Sequence, residues 1–78
     1  MRPKEPRLVV TFATTTHAFA MEDAGKACGL KGRIIPVPRQ ITAGCGLSWS
    51  EPAENGEHLK QVLGERQLHY ENIYELVI

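Results

Sequence analysis

The sequence has little cysteine, no surplus of either charge and no long apolar run. Two cysteines in 78 residues are too few for a disulfide-dense scaffold. Nine Lys plus Arg balance nine Asp plus Glu, so the chain lacks the basic surplus that phosphate binding needs. No apolar run approaches the about 20 residues that span a bilayer. We therefore expect neither a nucleic-acid partner nor a membrane association.

The chain length and the N-terminal residues predict a single domain in the cytoplasm. A chain of 78 residues has room for one hydrophobic core. Residues 1–6 hold two prolines and three charged side chains, which predicts an extended lead-in, with one domain over 7–78. The N-terminus also lacks the apolar segment of a signal peptide.

Hydrophobic periodicity predicts four strands and two helices. The predicted strands span 8–12, 33–37, 46–50 and 70–78. A first helix is predicted over 17–28, with hydroxyls from 14–16 as N-caps and Gly29 as its C-terminal stop. Its expected inner face consists of His17 or Ala18, Ala20, Met21, Ala24 and Cys28. A second helix is expected to start near Pro52 and to end near Leu68.

The order β-α-β-β-α-β predicts an α+β, ferredoxin-like fold. In that fold a four-stranded antiparallel sheet carries both helices on one face. Pro36 agrees with an edge position for the second strand, because proline cannot donate to a ladder. The other sheet face would be left open, and small proteins often cover such a face by forming a homodimer.

The connection between the second and third strands is the most informative segment for function. Hairpin partners are normally joined by about 2–5 residues, whereas this connection is longer, and longer loops often carry function. It contains Cys45 between Gly44 and Gly46, which favours a thiol that another molecule can reach.

Topology predicts positive electrostatic potential around Cys45. The loop should lie at the same sheet end as the first helix N-terminus, where Thr16 and His17 stand. Free N–H groups there, together with Arg39 in the loop, would favour the thiolate over the thiol. His17 is also a candidate base toward Cys45. In the alternative interpretation, Cys45 is an inert turn residue.

For the remaining candidate residues, the sequence predicts structural or solvent-exposed positions rather than a functional role. Cys28 should be a core residue at the far end of the first helix, too remote to pair with Cys45. His58 and His69 have the pattern of solvated positions, and Trp49 that of a sheet-face anchor or dimer contact. No metal-ligand spacing and no phosphate-binding glycine motif is present, so we expect no metal site.

Several motifs together resemble a known protein family. The first strand ends in Phe12, and a threonine-rich step leads into His17 and Ala18, followed by Met21 and Glu22. An apolar strand then runs into Pro-x-Pro-Arg and Cys-Gly; these residues are Pro36, Pro38, Arg39, Cys45 and Gly46. Over about residues 8–78, and most closely over 34–47, the chain resembles the small prokaryotic selenium/sulphur carrier-like proteins.

The resemblance implies a carrier rather than an enzyme. Cys45 would hold sulphur or selenium as a persulfide or selenopersulfide, with no other cofactor. It also implies a donor enzyme, such as a cysteine desulfurase or selenocysteine lyase, and an acceptor protein. Two alternatives remain open: a dimeric ligand-binding or regulatory module without covalent chemistry, and a redox sensor based on Cys45.

Overall fold

The fold is a four-stranded antiparallel sheet with two helices, in the predicted order β-α-β-β-α-β. The computed structural model describes residues 4–41 and 45–78. The elements are β1 (Pro6–Thr11), α1 (Thr15–Cys28), β2 (Arg33–Pro36), β3 (Leu47–Pro52), a short 3₁₀ helix (Ala53–Asn55), α2 (Gly56–Glu65) and β4 (Ile73–Val77). The strand order is β2-β3-β1-β4, with every neighbouring pair antiparallel. This confirms the ferredoxin-like fold, with Pro36 at the end of an edge strand.

Both helices pack on one face of the sheet. Val10 pairs with Trp49 on one side and with Ile73 on the other, and this row points toward the helices. The core combines strand and helix residues: Val10, Phe12, Ala18, Met21, Trp49, Leu59 and Leu63. Six of these seven are apolar aliphatic or phenyl side chains, so burial of the shared face holds the helices in place.

The inner face of α1 differs in part from the predicted one. Ala18, Met21 and Ala24 are buried as expected, but Ala20 is exposed. Gly25 is buried instead, and the Trp49 ring lies so close that a Cβ added to Gly25 would stand 2.6 Å from it. Gly29 ends the helix in the left-handed conformation with φ of 74°, and its N–H donates to the Gly25 carbonyl.

The second helix is shorter than predicted. It ends at Glu65, three residues before Leu68, because Gln67 adopts a positive φ of 51°. The Leu68 N–H then donates back to the Leu63 carbonyl at 3.0 Å, which closes the helix end. Pro52 belongs to the end of β3, and the 3₁₀ helix separates it from α2.

The sheet end remote from Cys45 is organised around a buried carboxylate that the sequence did not reveal. Glu51 is completely buried on the helix side of β3. Its oxygens accept hydrogen bonds from the Lys31 and Gly32 amides at 3.0 Å, from Trp49 Nε1 at 2.9 Å and from Asn55 Nδ2 at 2.7 Å. Four donors from three parts of the chain therefore compensate the burial of this side chain.

The opposite sheet face carries no helix. Cross-strand pairing places on it the small or β-branched residues Val9, Thr11, Ser48 and Ser50, bordered by Ile35, Tyr74 and Leu76. Arg7 lies over this face and donates to the Ser50 side chain and carbonyl. Val9, Thr11, Ser48 and Ser50 are at most 3% exposed in the single chain, whereas the bordering Ile35, Tyr74 and Leu76 are partly exposed.

Candidate functional site

Four strand ends meet at one edge of the sheet, which we call the cysteine end. Strand register pairs Thr11 with Ser48, Val10 with Ile73, and Pro36 with Leu47. The segments that leave these strands therefore emerge on the same side: the start of α1, the β2–β3 connection and the α2–β4 connection. The antiparallel topology thus brings three separate parts of the sequence to one place.

Cys45 lies at the base of the β2–β3 connection, against the core. Its side chain is partly buried and packs on the core cluster. The thiol donates a weak hydrogen bond to the Leu47 carbonyl, with 3.5 Å between Sγ and O. The thiol is therefore half-covered rather than presented on a loop tip.

Gly46 gives Cys45 its position. Gly46 adopts a positive φ of 76°, a conformation that other residues rarely take. Its carbonyl accepts from the Val37 amide at 3.0 Å, which extends the β2–β3 ladder by one pair. The chain can therefore turn directly after Cys45 and enter β3. Gly44, the other predicted flanking glycine, lies outside the described residues.

The start of α1 provides amides at the cysteine end. Thr14 is the N-cap, and its side-chain oxygen accepts from the His17 amide at 3.2 Å. The first helical hydrogen bond joins the Ala18 amide to the Thr14 carbonyl at 3.2 Å. The amides of Thr15 and Thr16 therefore have no acceptor within the helix. The side chain of Thr16 is exposed.

His17 faces another histidine. The His17 and His69 rings have centroids 5.0 Å apart and planes tilted by 31°. His69 was interpreted from the sequence as a solvated residue, so this pairing was missed. The topology contained the signal, because in a ferredoxin-like fold the α2–β4 connection returns to the end where α1 begins.

Arg39 lies in the first part of the β2–β3 connection. It follows Pro38 in a turn that the Ile41 amide closes on the Pro38 carbonyl at 3.0 Å. Its side chain is exposed and forms no salt bridge with another described residue. Arg39 therefore shares the connection with Cys45, and its charge is available to an incoming molecule.

Cys28 lies at the opposite end of the molecule. It is the last residue of α1, a helix of 14 residues that begins at the cysteine end. At about 1.5 Å per residue, the length of the helix separates the two cysteines by far more than a disulfide can bridge. Neither cysteine forms a disulfide. Cys28 is partly buried, so its interpretation as a core residue was too strong.

The described residues contain neither a cluster of three or more metal-ligand side chains nor a membrane-spanning helix. Among residues 4–41 and 45–78, no group of three or more His, Cys, Asp or Glu side chains is placed to hold a metal ion. Within those ranges, no helix combines the length and the apolar character needed to cross a membrane.

Comparison with known proteins shows the family. The family model described as "Putative Se/S carrier protein-like" matches residues 7–75. Neither the curated proteins nor the solved structures include a significant match to the chain. The matched range runs from within β1 to within β4 and includes Cys45, so the resemblance to the family is confirmed. The chain belongs to the Se/S carrier protein-like family.

Proposed function

We propose that this protein carries sulphur or selenium on Cys45 as a persulfide or selenopersulfide. Membership of the family supports a role in carrying sulphur or selenium. The observation that supports Cys45 as the carrier thiol is its isolation from the other cysteine. A carrier persulfide is lost if a neighbouring thiol of the same chain attacks it and forms a disulfide. Cys28 lies at the far end of α1, so Cys45 has no such neighbour.

The loading step is an exchange between a thiolate and a persulfide, and it needs no external oxidant. The Cys45 thiolate attacks the outer sulphur of a persulfide on the donor enzyme. A new S–S bond forms on Cys45, the S–S bond of the donor breaks, and the donor cysteine leaves as a thiolate. The acceptor protein unloads the carrier by the same reaction. Cys45 therefore returns to a thiolate without net oxidation.

Three features at the cysteine end support this role. The amides of Thr15 and Thr16, which have no acceptor within the helix, attract negative charge at the start of α1. Arg39 contributes an exposed positive charge from the same connection, and His17 stands at the same end as a candidate base. We assign Arg39, Thr16, His17, Gly44 and Gly46 to stabilisation of the thiolate or its loaded form.

The apolar contacts of Cys45 support storage of the loaded group. The side chain packs on the core cluster, which shields a sulphur atom from bulk water. Ionisation gives up the hydrogen bond to the Leu47 carbonyl, because that carbonyl can accept but not donate. We infer that the sulphur turns away from Leu47 when it is ionised or loaded.

The implied partners follow from the same chemistry. We propose a donor enzyme that builds a persulfide on its own cysteine, such as a cysteine desulfurase, or a selenocysteine lyase for selenium. An acceptor protein would remove the atom. Such exchange needs reduced thiols, which agrees with the expected location in the cytoplasm.

The proposal is tested by loading the full chain and measuring its intact mass. The protein is incubated without oxygen with cysteine desulfurase and cysteine, or with selenocysteine lyase and selenocysteine. We expect a gain of one sulphur or one selenium atom, removed by dithiothreitol and located on Cys45. Cys28→Ser should load like the wild type, whereas Cys45→Ser should not load. Equal loading of both variants, or none in the wild type, would refute the carrier role.

The redox-sensor alternative gives a different result in a parallel sample. Treatment with hydrogen peroxide in the absence of a donor would then produce a stable sulfenic acid or an intermolecular disulfide at Cys45. Failure to load, combined with rapid formation of these products, would favour the sensor. Failure of both reactions would favour the ligand-binding module.

A further inference from the structure

The two histidines at the cysteine end are held by their backbones. His17 is in the first turn of α1, where its amide donates to the Thr14 side chain. His69 lies between two anchored residues: the Leu68 amide donates to the Leu63 carbonyl at 3.0 Å, and the Glu71 amide donates to the Thr11 carbonyl at 2.7 Å. The 5.0 Å between the rings therefore joins two segments whose backbones are each anchored by hydrogen bonds.

We propose that His17 and His69 form a two-imidazole site for a divalent transition-metal ion such as Zn²⁺, Ni²⁺ or Cu²⁺. The site does not need Cys45 as a ligand, but it shares His17 with the residues assigned to the Cys45 thiolate. Neutral imidazole is the commonest protein ligand for these ions, and Mg²⁺ or Ca²⁺ would prefer oxygen ligands.

The distance between the rings fits binding of both imidazoles to one ion. With a metal–nitrogen distance of about 2.0–2.1 Å, neighbouring ligand positions at square or tetrahedral angles put two imidazole centroids about 4.5–5.2 Å apart. The observed separation of 5.0 Å falls inside that range. The tilt of 31° between the planes is also compatible, because each ring can rotate about its metal–nitrogen bond without moving its centroid much.

The remaining positions on the ion would be open. Among the described residues, no third His, Cys, Asp or Glu joins this pair in a group that could hold a metal. Water or an exogenous ligand would complete the coordination, as in metal sites that keep exchangeable positions. His17 is partly buried and His69 is exposed, so an ion can reach the pair from solvent.

The test uses the full chain with Ni²⁺ as the probe and Mg²⁺ as the control ion. A Cys45→Ser background removes the thiol as a competing ligand at this end. Isothermal titration should show binding of one Ni²⁺, and Ni²⁺ should raise Tm, whereas Mg²⁺ should do neither. His17→Ala and His69→Ala should each weaken binding at least about tenfold, because one of two ligands is lost. His58→Ala, a matched histidine change on α2, should bind like the parent.

Two results would overturn the two-imidazole site. If the parent does not bind Ni²⁺, or if the His17 and His69 variants bind as it does, the pair is only a stacking contact. Should an alanine variant unfold, His17→Gln and His69→Gln replace it with a residue of similar bulk. Cu²⁺ added to an NMR sample then gives a second readout: selective broadening of both imidazole signals is expected, and broadening of neither refutes the site.

Discussion

The Trp49 ring lies so close to Gly25 that no other side chain fits between them. A Cβ atom added to Gly25 would stand 2.6 Å from Cη2 and 2.9 Å from Cζ2 of the ring. Trp49 is 2% exposed and belongs to the core, so its ring cannot move aside freely. This contact sets how closely α1 approaches the sheet.

Gly25→Ala should therefore destabilise the protein although alanine favours a helix. We expect the free energy of unfolding to fall by about 1–3 kcal/mol, as for other overpacked cores. Urea denaturation followed by Trp49 fluorescence measures the change. Gly64→Ala on α2 is the matched control, because a Cβ there meets nothing within 4 Å. It should raise stability slightly through helix propensity. If the free energy of unfolding changed in the same direction in both variants, the close contact between Gly25 and Trp49 would be contradicted.

Removing the buried Glu51 carboxylate should lower the free energy of unfolding more than Gly25→Ala does. Glu51→Ala leaves the Lys31 and Gly32 amides, Trp49 Nε1 and Asn55 Nδ2 without their acceptor. We expect a loss of about 3–5 kcal/mol, since buried donors without partners are strongly destabilising. Thermal unfolding by circular dichroism measures it, with exposed Glu54→Ala as the control. If Glu51→Ala lost no more free energy of unfolding than Glu54→Ala, water would have replaced the carboxylate as the acceptor for the four donors.

The end of α2 contains a position where glycine should be better than the native residue. Gln67 is the only non-glycine residue with a positive φ among those described. Gln67→Gly should raise the free energy of unfolding by about 1 kcal/mol, because glycine accepts the left-handed conformation without a Cβ clash. Gln61→Gly, inside the same helix, should lower stability by about 1 kcal/mol. Chemical denaturation of both variants checks the predicted opposite signs.

Arg39 should speed the reaction of Cys45 with electrophiles. In a Cys28→Ser background, Arg39→Ala should slow alkylation by iodoacetamide several-fold at neutral pH, because a positive charge favours the thiolate. Arg33→Ala is the control, since Arg33 starts β2 at the end remote from Cys45. High salt should reduce the difference between the variants. Equal rates for all three proteins would remove Arg39 from the site.

The partly exposed border of the helix-free sheet face leads to the prediction of a homodimer. Ile35, Tyr74 and Leu76 border this face and are partly exposed in the single chain. Tyr74→Arg should shift the protein toward the monomer in sedimentation experiments, because it places an additional charge in the contact between the two copies. Glu57→Arg on the exposed side of α2 should not. A wild-type protein that stays monomeric at high concentration would refute the dimer.

Local sequence patterns determined the elements and their order. The apolar, β-branched runs around Val9 and Ile34 predicted strands, and the hydroxyls of 14–16 and Gly29 indicated the two ends of α1, which begins at Thr15, two residues before the predicted start. These signals depend on neighbours in the chain, so no tertiary information was needed. The fold class followed, because the order β-α-β-β-α-β has few solutions in a short chain. The motifs around Arg39 and Cys45 also indicated the family.

Only the tertiary structure decided the contacts between distant parts of the chain. No local pattern indicated that Trp49 lies against Gly25, or that four donors surround Glu51. The contact between His69 and His17 also became evident only in the structure, because the sheet brings together two residues that are 52 positions apart in the sequence. Periodicity shows which side of an element is buried. It does not show which residue of another element fills the space opposite, because that depends on how the layers pack.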